Sequence, residues 1–297
     1  MLKIKTLFIL LMACAVYACG PKQSAETVEN QKQNDEKVLH KLVTIGGTVS
    51  EIVCALGKQE WIVATDRTST YPAALQQLPS VGYRTNIKAE GVVSTGANMV
   101  LADETSMNPD LKTQLEDAGI TVKVFKNELT LDGTKKLIHE VAESLNLKEE
   151  GTNLVQSLEA DWQKVTEKLQ GVATKPSVIF VYARGAGTMN IAGKGTFADE
   201  MIRLAGGTPA IRDIEQFKPL TSEALIEANP DFLLFFDSGL ESLGGVEGAL
   251  KITGVAETTA GKQKNIIAME GQYLSGFGPR VVQAVLELSE LIHPQAQ

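Results

Sequence analysis

Short runs of apolar, β-favouring residues alternate along this chain with stretches in which apolar positions fall three and four apart, the pattern of a mainly parallel sheet covered by helices on both faces. Leu42-Val43-Thr44-Ile45 is predicted as a strand that ends at Gly46-Gly47, and residues 48–56 as a helix that stops at Gly57. Further strands are predicted at residues 61–64, 99–102 and 122–125, with helices at 90–96 and 110–118. From residue 131 to about 169 the period becomes purely helical: Leu137, Ile138, Val141, Leu154, Leu158 and Val165 lie on one stripe, and no proline interrupts them. One or two long amphipathic helices are expected there, with Gly151 as the candidate break. Strands then return at 177–182, 232–236 and 266–268, with helices at 197–205, 222–228 and 279–292.

The two halves echo each other. Ala89-Glu90-Gly91-Val92-Val93 leads into the strand Met99-Val100-Leu101, and Ser222-Glu223-Ala224-Leu225-Ile226 leads into Phe232-Leu233-Leu234, at a constant offset of 133 residues. A helix with an acidic residue near its start thus feeds an apolar strand once on each side of the long helical stretch. The layout predicts an α/β protein of two Rossmann-like lobes, residues 38–130 and 171–297, joined by a long rigid helix over 131–170 with a ligand cleft between them.

The first 37 residues follow neither period. Lys3 and Lys5 precede an apolar run at residues 7–16, well short of the ~20 residues that a membrane-spanning helix needs, and Ala18-Cys19 follows it. This reads as an export signal over residues 1–18, and Ala18-Cys19 resembles the lipobox of bacterial lipoproteins, which implies Cys19 as the lipidated first residue of the mature chain; an ordinary cleaved signal ending near Ala18 is the alternative, and Cys14 is a weaker second candidate. Residues 19–37 are too polar to bury surface and form a flexible tether. The expected product is a periplasmic or cell-envelope lipoprotein held to the membrane by its lipid.

Composition narrows the chemistry. A net charge of −8 argues against nucleic acid. Once the signal is removed, Cys54 is the only thiol besides Cys19, so no internal disulfide is available, and Cys54 in its apolar stretch reads as a buried structural thiol. His40, His139 and His293 are far apart in sequence, which disfavours a His/Cys metal cluster. Gly193-Lys194-Gly195-Thr196 has the wrong spacing for a phosphate loop, and no nucleophile elbow is present. No enzyme and no catalytic cofactor is expected.

Several segments together resemble the helix-bridged substrate-binding proteins of ABC importers for siderophores, cobalamin and heme, over essentially all of residues 40–295. They are Ile45-Gly46-Gly47-Thr48-Val49-Ser50-Glu51, Thr68-Ser69 with Tyr71-Pro72, Leu78-Pro79-Ser80-Val81-Gly82-Tyr83 followed by Ala89-Glu90-Gly91, Phe197-Ala198-Asp199-Glu200 with Gly206-Gly207, and Gly276-Phe277-Gly278. Within that family the chain is most similar to the heme-binding periplasmic proteins. The resemblance implies a helical-backbone periplasmic binding protein fold, heme as the transported ligand, and an ABC permease and ATPase complex as partner. It also implies Tyr83 as an axial ligand to heme iron, and Glu90 and Glu223 as permease-docking residues. Arg84, Arg184, Tyr71 and Phe277 are candidate heme contacts. Arg184 stands where some relatives carry histidine; an arginine has no lone pair for iron but can hold a propionate. A siderophore or cobalamin receptor of the same fold is the alternative, and a cell-envelope enzyme a remote one.

Overall fold

The computed structural model describes residues 40–172 and 174–294; the export signal expected at 1–18 and the whole tether expected at 19–37, Cys19 included, lie outside them. The N-terminal lobe runs β1 (Leu42–Ile45), α1 (Gly47–Ala55), β2 (Ile62–Thr65), α2 (Ala89–Val93), β3 (Met99–Asp103), α3 (Pro109–Asp117) and β4 (Thr121–Phe125). Its four strands are all parallel, in the order β2-β1-β3-β4. Next come α4 (Leu131–Ser144) and α5 (Lys148–Gln170). The C-terminal lobe runs β5 (Ser177–Ala183), β6 (Met189–Ala192), α6 (Phe197–Leu204), β7 (Thr208–Pro209), β8 (Phe217–Pro219), α7 (Ser222–Ala228), β9 (Phe232–Phe236), α8 (Asp237–Ser242), α9 (Val246–Ala249), α10 (Thr259–Gln263), β10 (Ile266–Met269), α11 (Gly271–Ser275) and α12 (Val281–Ile292). Its sheet has the order β10-β9-β5-β6-β8, with β7 beside β5; only β6 runs against the others, antiparallel to both β5 and β8.

The internal echo is structural. In the first lobe Asn98, at the entry to β3, donates its N–H to the Lys41 carbonyl at 3.0 Å and accepts the Lys41 N–H on Oδ1 at 3.1 Å. In the second, Asp231 at the entry to β9 donates to the Ser177 carbonyl at 2.9 Å and accepts the Ser177 N–H at 2.8 Å. A short polar side chain therefore fixes the register of the same parallel strand pair, β1 with β3 and β5 with β9, at each sheet's amino edge. The packing matches as well: Val92 and Leu225, 133 residues apart, are both buried and help to seat α2 and α7 on their sheets.

The linking stretch is two helices, and the break is not at Gly151. It falls over residues 145–147, where Asn146 takes a φ of 59°. Gly151 lies inside the first turn of α5, against α4, where a Cβ would stand 2.5 Å from that of Ala142. The glycine is there for close helix approach, so its low helix propensity misleads as a sign of a break. Buried Leu137, Ile138 and Val141 of α4 and Val155, Leu158 and Val165 of α5 belong to one continuous apolar cluster with α1 residues of the first lobe and α6 and α12 residues of the second. Both lobes are thus built onto the same helical spine. Among the described residues no helix is long and apolar enough to cross a membrane.

The spine generates a test. Gly151→Ala should destabilise the protein by about 1–3 kcal/mol in urea unfolding despite alanine's better helix propensity, because the added methyl overlaps Ala142. Pairing it with Ala142→Gly should relieve the overlap and make the two effects non-additive; strict additivity would contradict close packing at this point.

Candidate functional site

Ligands of open α/β sheets bind beyond the carboxyl ends of the strands, and here the carboxyl ends of the two sheets converge. The turn after β10 brings Gln272 of α11 to the first lobe, where its Nε2 donates to the Gly47 carbonyl at 3.0 Å, just past β1, and its Oε1 accepts from Thr70 N–H at 3.1 Å and Thr70 Oγ1 at 2.9 Å, in the loop after β2. That loop is shaped by Asp66, almost fully buried, whose carboxylate accepts from Gly46 N–H, Thr68 N–H and Ser69 Oγ at 2.8 Å each, and also from Thr68 Oγ1. Four donors on one side chain tie the end of β1 to the segment that carries Tyr71.

The floor between the lobes holds an ion pair. Arg280, just before α12, meets Glu51 of α1 with two parallel bonds of 2.9 Å, from Nε to Oε1 and from Nη2 to Oε2. The Glu51 side chain is 5% exposed and that of Arg280 23%. Gln272 Nε2 adds a bond to Glu51 Oε2 at 3.1 Å. The guanidinium carbon lies 3.5 Å from the centre of the Tyr71 ring and 5.0 Å from that of Tyr273, so one planar cation is held between a carboxylate and two aromatic rings. Thr48 Oγ1 and Asn127 Nδ2 both donate to the Gly276 carbonyl at 2.7 Å, and Thr134 Oγ1 donates to that of Phe277 at 2.8 Å. Residues 272–280 are in this way bonded to α1, to the loop after β4 and to α4 along their length.

Tyr83 stands on the first lobe's carboxyl edge and is 45% exposed. The chain at residues 79–82 runs beside the end of β2: Thr65 N–H donates to the Pro79 carbonyl, Val81 N–H to that of Thr65, and Arg67 N–H to that of Gly82. A turn closed by Asn86 N–H on the Tyr83 carbonyl at 2.7 Å follows, with Val81 and Ile87 buried on either side. Backbone bonds and two apolar anchors fix the turn and leave the phenol in solvent. Gly82 has a φ of 115°, a backbone open to glycine and strained for other residues.

Arg84 is exposed on the same turn, and Arg184 is exposed directly after β5 on the second lobe's carboxyl edge. Among the described residues neither forms an ion pair. Tyr71 is 42% exposed at the edge of the floor. Phe277 corrects an expectation: it is 1% exposed and packed into the spine's apolar cluster, so it offers no surface to a ligand. Its motif matters through its backbone, whose carbonyl is held by Thr134. Glu90 and Glu223 are exposed in the first turns of α2 and α7. The Glu223 carboxyl is held below its usual range by its own backbone N–H and by the Ser222 and Thr221 hydroxyls. Cys54 is a half-buried thiol pushed up to about 12, first by burial and then by Glu51 and Glu60, which makes it unreactive near neutral pH. Tyr273 is likewise pushed up to about 12, by burial first and then by the Glu287 carboxylate, and stays a neutral phenol. Among the described residues no three His, Cys, Asp or Glu side chains group as a metal site.

Glu51, Gln272 and Arg280 were not among the residues singled out from the sequence. One signal was available: Glu51 is the only charge in the apolar helix Gly47-Thr48-Val49-Ser50-Glu51-Ile52-Val53-Cys54-Ala55, and a lone carboxylate on a buried helix requires a partner. Nothing in the sequence says that the partner lies 229 residues away.

The model of the periplasmic binding protein family matches residues 42–273. An ABC transporter substrate-binding lipoprotein of Bacillus subtilis (strain 168), YvrC, is 27% identical, with 96% of this chain and 95% of that protein aligned. Among solved structures, the periplasmic heme-binding protein RhuT of Roseiflexus sp. RS-1, in apo form, superposes with a TM-score of 0.83 at 38% identity, over 87% of this chain and 99% of that one. The periplasmic heme-binding protein BhuT in complex with two hemes gives 0.82 at 34% identity, over 86% and 98%.

The ion pair can be tested by a double-mutant cycle. Glu51→Leu alone should cost about 3 kcal/mol in urea unfolding, since it leaves a half-buried guanidinium without its carboxylate, and Glu51→Leu with Arg280→Met should cost less than that single change. A loss in the double variant equal to the sum of the Glu51→Leu and Arg280→Met losses measured singly would mean that the two side chains act independently.

Proposed function

We infer the function from one premise, that the chain belongs to the periplasmic binding protein family, the substrate-binding kind of ABC transport protein, and we propose that its ligand is heme, captured between the lobes and handed to a membrane permease. The observation that carries the reading is the exposed phenol of Tyr83 on a fixed turn at the carboxyl edge of the first sheet. A phenolate is a hard anionic donor and a known protein ligand of ferric heme iron. Two alternatives on the floor are weaker ligands. Tyr273 is held neutral, and Tyr71 has the Arg280 guanidinium on its ring, which suits it to be an aromatic wall. Structural relatives whose known ligand is heme support the choice of heme over a siderophore or cobalamin, neither of which needs a tyrosine at position 83.

The other assignments follow from charge and exposure. Arg84 and Arg184, one on each sheet's carboxyl edge, are exposed cations able to take heme propionates through charge-assisted, two-pronged bonds. Glu90 and Glu223, matched on the two lobes, dock the receptor on an ABC permease and ATPase complex. Cys19 carries the lipid, and a tether of residues 19–37 at ~5–6 Å × √n spans roughly 20–25 Å, so the receptor works close to the membrane of the cell envelope. The protein binds and delivers; the reading gives it no reaction to catalyse.

Hemin titration followed by absorbance tests the ligand. Wild-type protein should saturate with the charge-transfer bands of a phenolate-ligated ferric heme, and Tyr83→Phe, which removes one solvent-exposed oxygen, should keep the fold, lose those bands and bind hemin at least about tenfold more weakly. An unchanged spectrum in the variant would remove Tyr83 from the iron. Cys19→Ser should release the receptor from membranes, as followed by fractionation and by the acyl mass on the mature N-terminus.

A further inference from the structure

We propose that each docking face is a two-part contact in which an exposed apolar side chain one turn after the carboxylate shares the binding: Val93 with Glu90 on α2, and Ile226 with Glu223 on α7. The proposal rests on the docking reading and adds to it the surface that confers grip. Val93 is 45% and Ile226 49% exposed, and large hydrophobic residues this exposed are few among the described residues. Two of them fall at the same place in the internal echo, 133 residues apart and three residues after the matched glutamates. Scattered single apolar residues on a surface need no explanation; matched ones on two separate lobes do.

Local structure does not ask for them. Val92 and Leu225, 0% and 1% exposed, already seat the two helices on their sheets, and their neighbours Val93 and Ile226 point away from those contacts. β-Branched residues are poor choices for an exposed position in helices of five and seven residues. Spacing of three residues puts each apolar side chain on the same helix face as its glutamate. Both helices lie on crossovers that lead from the carboxyl edge of a sheet back to the amino end of a parallel strand, β3 in one lobe and β9 in the other, so the two patches occupy matched positions on the two lobes. A partner that contacts both patches spans the two lobes.

The chemistry selects the occupant. Each patch is an apolar residue beside a carboxylate, and Glu227 adds a second exposed acid next to Ile226. The complementary surface is a basic side chain next to an apolar hollow, offered twice by a membrane protein built of two equivalent subunits. A second copy of this chain would oppose glutamate to glutamate, and an anionic lipid surface would oppose both, in a protein of net charge −8. Salt separates the two components, because it screens the carboxylates and leaves the apolar contact in place.

The test uses the full lipoprotein and its permease–ATPase complex in nanodiscs, with docking measured at low and high salt. Val93→Thr with Ile226→Thr keeps the branched shape and should weaken docking about tenfold or more at both salt concentrations, while hemin titration stays as in the wild type. Glu90→Ala with Glu223→Ala should weaken docking mainly at low salt. If the glutamate pair is needed and the threonine pair docks like the wild type, the docking reading stands and this inference is overturned. If neither double variant changes docking, both fail together. A wild-type dimer in sedimentation that the threonine pair dissolves, with docking unaffected, would assign the apolar residues to a second copy and also overturn it.

Discussion

Glu51 and Arg280 come from opposite ends of the described chain and meet in two bonds of 2.9 Å at the floor between the lobes, and the shape of the cleft depends on that meeting. A carboxylate whose side chain is 5% exposed is costly to bury without a partner in good geometry. That requirement fixes α1 of the first lobe against the start of α12 of the second. Once Arg280 is fixed, Tyr71 has its platform, and Gln272 can bridge Gly47, Glu51 and Thr70 in one span. Behind this polar floor the spine of α4 and α5 carries one apolar cluster into both lobes. Apolar packing holds the lobes together, and the ion pair with its neighbours sets their spacing.

Such a floor favours a cleft that is built before the ligand arrives. Both sheet edges already touch through Gln272, and residues 272–280 are bonded to the first lobe at several points. A preorganised site loses less ordering free energy on binding than one that must first close. It also explains why the exposed groups of the site stand on short turns anchored on both sides, as Tyr83 does between Val81 and Ile87. In the proposed function the first lobe brings the iron ligand, the second a propionate cation, and the floor an aromatic wall.

Most of the scaffold was legible in the sequence because it is parallel and buried. Strands such as Leu42-Val43-Thr44-Ile45 and Phe232-Leu233-Leu234-Phe235-Phe236 are nearly continuous apolar runs, and the 133-residue echo exposed the pairing of two lobes. The antiparallel edge formed by β6 and β8 was not legible: Phe217-Lys218-Pro219 is exposed throughout and contains proline, as edge strands do, and so lacks an apolar signature. The break of the spine was misplaced because glycine serves two purposes, and at position 151 it admits a neighbouring helix. The site divided along the same line. Tyr83 and Arg184, proposed ligand contacts, could be named from local segments and resemblance and stand exposed on turns, whereas the Glu51–Arg280–Gln272 floor is a contact across more than 220 residues that local pattern does not encode. Phe277 was misjudged because the motif around it is used for its backbone.

The most direct test of the account is a crystal structure of the protein loaded with hemin. It should show porphyrin between the carboxyl edges of the two sheets, iron bonded to the phenolate oxygen of Tyr83, and the Glu51–Arg280 pair intact beneath it. Porphyrin bound away from that edge, or iron ligated by another residue with Tyr83 free in solvent, would contradict it.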